Sequence, residues 1–322
     1  MAPGCRPARR WIMNDKRTQK IGAFYAISAY VMWGLFPLYW KPVEQVPAFE
    51  ILGHRIFWAF LFMIALLLFS KKISRFFLNF RALFKKPQHL LLVIAAAVLI
   101  SANWFIYIWA VTNGHVVESS MGYYINPLIS ILLGILFLKE KLTVWQIVAF
   151  ILAACGVLIQ TIEFGQVPWI ALSLAFSFGF YGLTRKLIRM DTISELTFET
   201  LFVTPIALYY LIHVQIAGTA AFGNVSLLTT LLLIGTGVVT AVPLLCFAEG
   251  AKYISLTMIG FFQYITPTLS LIIGITLYHE PFTGVQLISF SFIWFALIIF
   301  SLSGTALMKR ISSRRLIETD HH

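Results

Sequence analysis

Arg55, in the run FEILGHRIFWAF, stands well inside an apolar block. A guanidinium there costs about 3 kcal/mol or more unless water, a partner or a ligand compensates it. Facing a central cavity, its fork of donors suits an anionic group; the alternative is a structural ion pair with Glu50 or Glu199, which occupy matching Phe-Glu pairs, Phe49-Glu50 and Phe198-Glu199. The neighbouring His54 points about 100° away, so the two cannot serve one spot.

Other polar and aromatic residues sit at comparable depth. Asn103 and Tyr107 share a helix face at i,i+4 spacing, and Trp33 and Tyr181 precede glycine and leucine at corresponding places, WGL and YGL. Tyr123, Tyr124, Asn126, Gln263 and Tyr264 form the densest polar and aromatic set. Each admits two readings, ligand binding or helix-to-helix hydrogen bonding and packing. Glu118, Glu199, Glu249 and His54 are candidates for coupling to protons, with Glu118 and Glu249 near segment ends where solvation is the ordinary outcome. No ligand set for a metal is present, and no cofactor is expected.

The elements that must position these residues are membrane helices. With 59% hydrophobic and 11% charged residues, the chain has too little polar surface for a soluble globule of 322 residues. Continuous apolar blocks of about 20 residues favour helices over barrel strands. Ten spans are expected: 21–40, 48–70, 89–111, 119–138, 144–162, 168–186, 196–213, 227–249, 257–277 and 285–307. The fold class is therefore an all-α integral membrane protein in contact with the lipid bilayer.

The formal charge of +11 comes from connections rather than from a nucleic-acid face. Of 24 Lys and Arg residues, 22 fall in the tails or at alternate connections, among them Arg185 and Lys186. Lys41 lies opposite and Arg55 within a span. This bias places both tails in the cytoplasm. The first 20 residues lack a cleavage site before a full-length span, so the first block reads as a retained helix. Cys5, Cys155 and Cys246 have no paired spacing, and the terminal His321 and His322 are too few to bind a metal.

Residues 121–147 align with 261–287 at an offset of 140, with nine identities, including Tyr124/Tyr264, Pro127/Pro267, Gly134/Gly274, Glu140/Glu280, Thr143/Thr283 and Gln146/Gln286. This implies a duplicated five-helix unit, 21–162 and 163–307, between basic tails 1–20 and 308–322. Five is odd, so the second copy is inverted, as its charges suggest: KEKLT against HEPFT. Inverted repeats are how secondary transporters build two gates around one site. Pro127 and Pro267 deprive the carbonyls of Tyr123 and Gln263 of their donors, which marks a hinge, a cavity wall or a packing kink. Small residues at Ala149, Ala153 and Gly156, and the aromatics of 285–307, suggest packing or a homodimer seam through the fifth and tenth spans.

Several classes fit poorly. No phosphate-binding loop supports a primary pump, and no H-E-x-x-H or G-x-S-x-G motif supports an intramembrane enzyme. The tails are short for a receptor's effector domain, whereas a channel or facilitator stays open.

Two units, each ending in a G-x-x-x-x-x-E-x-x-T-x-x-Q run, resemble the EamA family of the drug/metabolite transporter superfamily over about residues 21–307. NWFIYIWAVTNGHVVESSMGYYINPL (Asn103 to Leu128) and WGLFPLYWK (Trp33 to Lys41) resemble its RarD branch, named as chloramphenicol-sensitive permeases. The resemblance implies a ten-helix inverted-repeat transporter of the bacterial cytoplasmic membrane, with spans 1–4 and 6–9 around the cavity and spans 5 and 10 outside it; export of a small metabolite or drug-like molecule by alternating access, coupled to proton entry, is the expected activity. His279 and Pro281 depart from the basic residues flanking the glutamate of the first copy.

Overall fold

A computed structural model describes residues 16–188, 190–279 and 282–303. Residues 1–15 of the first basic tail, the second tail 308–322 with His321 and His322, Cys5, Arg189, Glu280 and Pro281 lie outside them. The described residues of the chain are built of helices and their connections. Its elements are α1 (Lys16–Gly34), α2 (Phe36–Trp40), a 3-10 turn Lys41–Val43, α3 (Ala48–Phe69), α4 (Ile73–Lys85), α5 (Pro87–Thr112), α6 (Val116–Leu138), α7 (Val144–Phe164), α8 (Trp169–Leu187), α9 (Thr192–Ile216), α10 (Leu227–Tyr253), α11 (Leu256–Gln263), α12 (Ile265–Leu277) and α13 (Gly284–Ser303).

Among the described residues, eight helices are long and apolar enough to cross a membrane, counting α11 and α12 as one stretch, and nine if α1 and the segment Phe36–Val43, bent by 42°, form one span. This is a multi-pass membrane protein. Its outward side chains are apolar, with Phe24, Phe69, Leu136, Ile162 and Ile206 all strongly exposed. That pattern suits lipid.

The segment expected to span over 168–186 forms α8, whose apolar character falls short of the others. The reason is its surroundings. It packs against α5, α6 and α10, with Ala171, Ala175, Gly179, Tyr181, Arg185 and Lys186 all buried. A helix enclosed by protein can carry polar groups that lipid would penalise.

The T-x-x-Q part of the repeated run has a local cause. Gln146 N donates to Thr143 Oγ1 at 3.3 Å and Thr143 N donates to Gln146 Oε1 at 2.9 Å, a capping box that starts α7. Thr283 and Gln286 repeat it before α13, at 2.9 and 3.2 Å. One residue before each glutamate position, Lys139 and His279 both adopt a left-handed φ of 53°.

The two prolines behave differently. Pro127 lies within the continuous α6, whereas the chain breaks at Tyr264 and Pro267 sits in the first turn of α12, where a missing N–H costs little. The expectation of equivalent prolines inside two helices is corrected to this extent. Pro205 and Pro243 also stand inside helices, α9 and α10.

Two further features differ from expectation. The connection carrying Lys71 to Lys86 holds an amphipathic helix, α4, whose Phe76 and Phe80 stack on Phe198 at 4.5 and 5.8 Å. The small face of α7 is taken by α13 of the same chain, where Ser289 Oγ donates to Gly156 O at 2.6 Å and Ala149, Ala153 and Gly156 are buried. That stripe is not open to a second copy.

Candidate substrate-binding site

Arg55 is held by three elements. Its guanidinium carbon lies 5.1 Å from the ring centres of both Trp40 and Trp104, and Nε donates to Thr240 Oγ1 at 3.2 Å. Neither expected ion pair forms. Glu50 and Glu199 are engaged elsewhere, and among the described residues no carboxylate pairs with Arg55.

Two tyrosines complete this group. Tyr107 and Tyr123 meet edge-on at 6.1 Å, and both lie within electrostatic reach of Arg55. Tyr123 keeps 44% of its surface accessible. With Nε occupied and the planar group flanked by two indoles, the two Nη atoms remain as a fork for a planar oxyanion. Trp40, Trp104 and Thr240 were not among the residues expected to line a cavity; Trp40 reads from sequence as an interfacial anchor.

Most other candidates are used in packing. Trp33 belongs to an aromatic cluster with Tyr30, Phe178 and Phe247. Asn103 Nδ2 donates to Leu174 O and Ser177 Oγ, both at 2.9 Å, tying α5 to α8. Tyr124 meets Phe290 at 5.3 Å, and Asn126 keeps a buried Oδ1 without a partner. Gln263 accepts from Ser130 Oγ at 3.3 Å. Tyr264 is fully buried in a core shared by Phe261, Ile293 and Phe300. The structure thus joins Arg55, Tyr107 and Tyr123 and sends the rest into helix contacts.

His54 faces away from Arg55, as the helical angle requires. Its Nδ1 accepts from Trp58 Nε1 at 3.1 Å, and its ring stacks on Phe222 at 4.8 Å. With Glu50, Trp58 and Phe222 it lines a cleft of about 290 Å3 between α3 and α9.

A buried ionic cluster escaped the sequence reading. Arg185, counted there as a cytoplasmic connection charge, is 1% exposed. Its Nη2 donates to Glu199 Oε2 at 2.9 Å, Nε meets Tyr181 Oη at 2.9 Å, and Nη1 lies 3.0 Å from Glu195 Oε1, a charge contact off hydrogen-bond angle. Tyr181 Oη also donates to Glu199 Oε2 at 3.3 Å. Lys186, beside it, donates to the carbonyls of Ala251 and Ile254. The i,i+4 pair Glu195/Glu199, opposite a basic residue at the end of α8, was the available signal.

Three carboxylates of the first half cap backbone in the second. Glu50 accepts from Ala221 N at 2.8 Å and Phe222 N at 3.0 Å. Glu118 accepts from Ile170 N at 2.8 Å at the start of α8, so its expected solvation is corrected: it is 3% exposed. Glu140 accepts from Leu256 N at 2.7 Å and from Thr257 N and Oγ1 at 2.8 and 2.7 Å, capping α11. Gly134 leaves room for it, since a Cβ there would stand 2.8 Å from Glu140 Oε2. Glu249 is half-buried and accepts from Thr192, from Lys252 at 3.2 Å and from Tyr253 at 2.9 Å.

A helical bundle of membrane-crossing length, with a guanidinium held between two indoles, belongs to the class of multi-pass membrane proteins. The EamA-like transporter family model matches the chain twice, over residues 20–162 and 167–302. The chain belongs to that family. It is 50% identical over 294 residues to the uncharacterized transporter YojE of Bacillus subtilis, covering 90% of this chain and 96% of YojE. It is 46% identical over 292 residues to protein RarD of Salmonella typhi, covering 91% and 98%. A crystal structure aligns with a TM-score of 0.67 at 16% identity, covering 87% of this chain and 97% of the other; that likeness concerns the fold.

Proposed function

We propose that this protein is a secondary-active transporter that exports a small metabolite or drug-like molecule across the bacterial inner membrane by alternating access. Its ten spans, with α8 as the sixth, form two inverted five-helix halves, and both tails are cytoplasmic. The paired capping boxes and left-handed residues at an offset of 140 support the duplication. The double family match has the same sense.

The observation that carries the site is Arg55, paired with no carboxylate among the described residues and fixed between two indoles with its Nη edge available. A ligand anion meets that edge, and the aromatic walls receive its apolar body. No covalent chemistry is required, and no enzyme activity is assigned.

The test is counterflow in proteoliposomes with benzoate, benzamide and chloramphenicol as probes, on wild type and Arg55→Ala. Saturable exchange in wild type supports a carrier; flux that stays linear with concentration assigns a channel. Full benzoate affinity in Arg55→Ala would remove Arg55 from the site.

A further inference from the structure

The Arg185 cluster has an unbalanced charge. One guanidinium faces two carboxylates, Glu195 and Glu199, and the three side chains are 0%, 1% and 2% exposed. The surrounding charged and titratable groups do not correct this. Tyr181 and Lys186 approach from α8, Asp191 from the start of α9, and Glu249 and Lys252 from α10. Asp191 is held by Asn79 and by the backbone of Ser194, and Lys252 is paired with Glu249. Among the described residues the contacts of the cluster itself are one guanidinium against two carboxylates.

The deficit falls on one atom. Glu199 Oε2 accepts from both Arg185 and Tyr181, while Glu199 Oε1 is buried without any partner. A buried ionised oxygen with no donor has lost its hydration with nothing in exchange. Glu199 also lines a small cavity of about 10 Å3 with Ser101, Trp104, Thr200 and Leu244, close to the room one water needs. A water in that cavity would stand beside the Glu199 side chain.

We propose that Glu199 is the proton-binding site of this transporter, taking one proton on Oε1 from a water in the small cavity and leaving Arg185 and Glu195 as a neutral pair. This rests on the transporter reading for its role in coupling, although the site itself does not. Trp104 links the two functions: its indole walls the cavity of Glu199 and also lies against the Arg55 guanidinium. A ligand on Arg55 and a proton on Glu199 thus share one wall.

The test is infrared spectroscopy of lipid-reconstituted wild type, Glu199→Gln and Glu195→Gln at neutral pH. The expected result is a carbonyl band of a protonated carboxylic acid in wild type, lost in Glu199→Gln and kept in Glu195→Gln. Absence of the band in wild type, or its survival in Glu199→Gln, overturns the proposal. Should Glu199→Gln not reach the membrane, Glu199→Asp must shift the band.

A second arm uses benzoate, benzamide and chloramphenicol in proteoliposomes. The readout is accumulation driven by a pH gradient, measured relative to exchange at equal pH: Glu199→Gln loses the gradient-dependent part, and a gradient-dependent part kept at the wild-type ratio overturns the coupling role. A wild type that exchanges none of the three while showing the Glu199-dependent band instead overturns the transporter reading and leaves the proton site standing.

Discussion

The Arg55 guanidinium lies 5.1 Å from the ring centre of Trp104, with Trp40 at the same distance. A flat cation between two indoles is oriented by them, and a lysine ammonium could keep the charge but not the planar fork. Arg55→Lys is expected to weaken benzoate exchange by about tenfold and Arg55→Ala by up to a hundredfold, from about 1.5–3 kcal/mol for hydrogen bonds to a charged group. Benzamide exchange serves as the control: equal losses for both probes would deny a role in anion selection.

Trp104 can be examined apart from charge. Trp104→Phe keeps an aromatic wall but shortens it on the side of the small Glu199 cavity. The expected outcome is retained benzoate affinity with weakened dependence on the pH gradient, read in the same vesicles.

Glu140 joins the halves through three hydrogen bonds to Leu256 and Thr257. Glu140→Ala removes an N-terminal cap, for which about 0.5–2 kcal/mol is typical. Glu140→Gln retains an acceptor and loses less. Melting in detergent, followed by tryptophan fluorescence, should rank wild type above Glu140→Gln and Glu140→Ala lowest.

Arg185 is a stronger case, because Arg185→Gln strands the Glu195 carboxylate in the interior. Breaking a buried pair from one side costs about 3–5 kcal/mol. The triple change Arg185→Met, Glu195→Leu, Glu199→Leu removes the charges together and is expected to recover most of the melting temperature while abolishing the pH response. Failure of the triple variant to exceed Arg185→Gln in stability would contradict the account of this cluster.

Two neighbouring glycines separate tight backbone packing from loose side-chain contact. A Cβ on Gly237 would stand 2.4 Å from the Trp58 backbone carbon, where α3 crosses α10, whereas one on Gly235 would meet the tip of Tyr39 at 2.6 Å. Gly237→Ala should therefore reduce membrane yield severely. Gly235→Ala should cost less, since the Tyr39 ring can turn aside at the expense of its bond to Leu232 O.

Apolar block length made most helices legible, because bilayer thickness leaves few other solutions. It overlooked α4, where basic residues interrupt an amphipathic pattern in which Phe76 and Phe80 face Phe198. Arg55 stood out because it interrupts an apolar block. Arg185 did not, since a basic residue at a helix end reads as a topological signal until the opposing glutamates of α9 are seen to enclose it. Asn103 and Gln263 show the limit of polarity as a guide, because helix-to-helix hydrogen bonding needs the same residues at the same depth.

The direction of the inter-half caps bears on biogenesis. Glu50, Glu118 and Glu140 are synthesised first, and their backbone donors at Ala221, Ile170 and Leu256 follow 171, 52 and 116 residues later. Until then each carboxylate must stay hydrated at the translocon or the membrane surface. The first half thus completes these buried contacts only once the second half is in place.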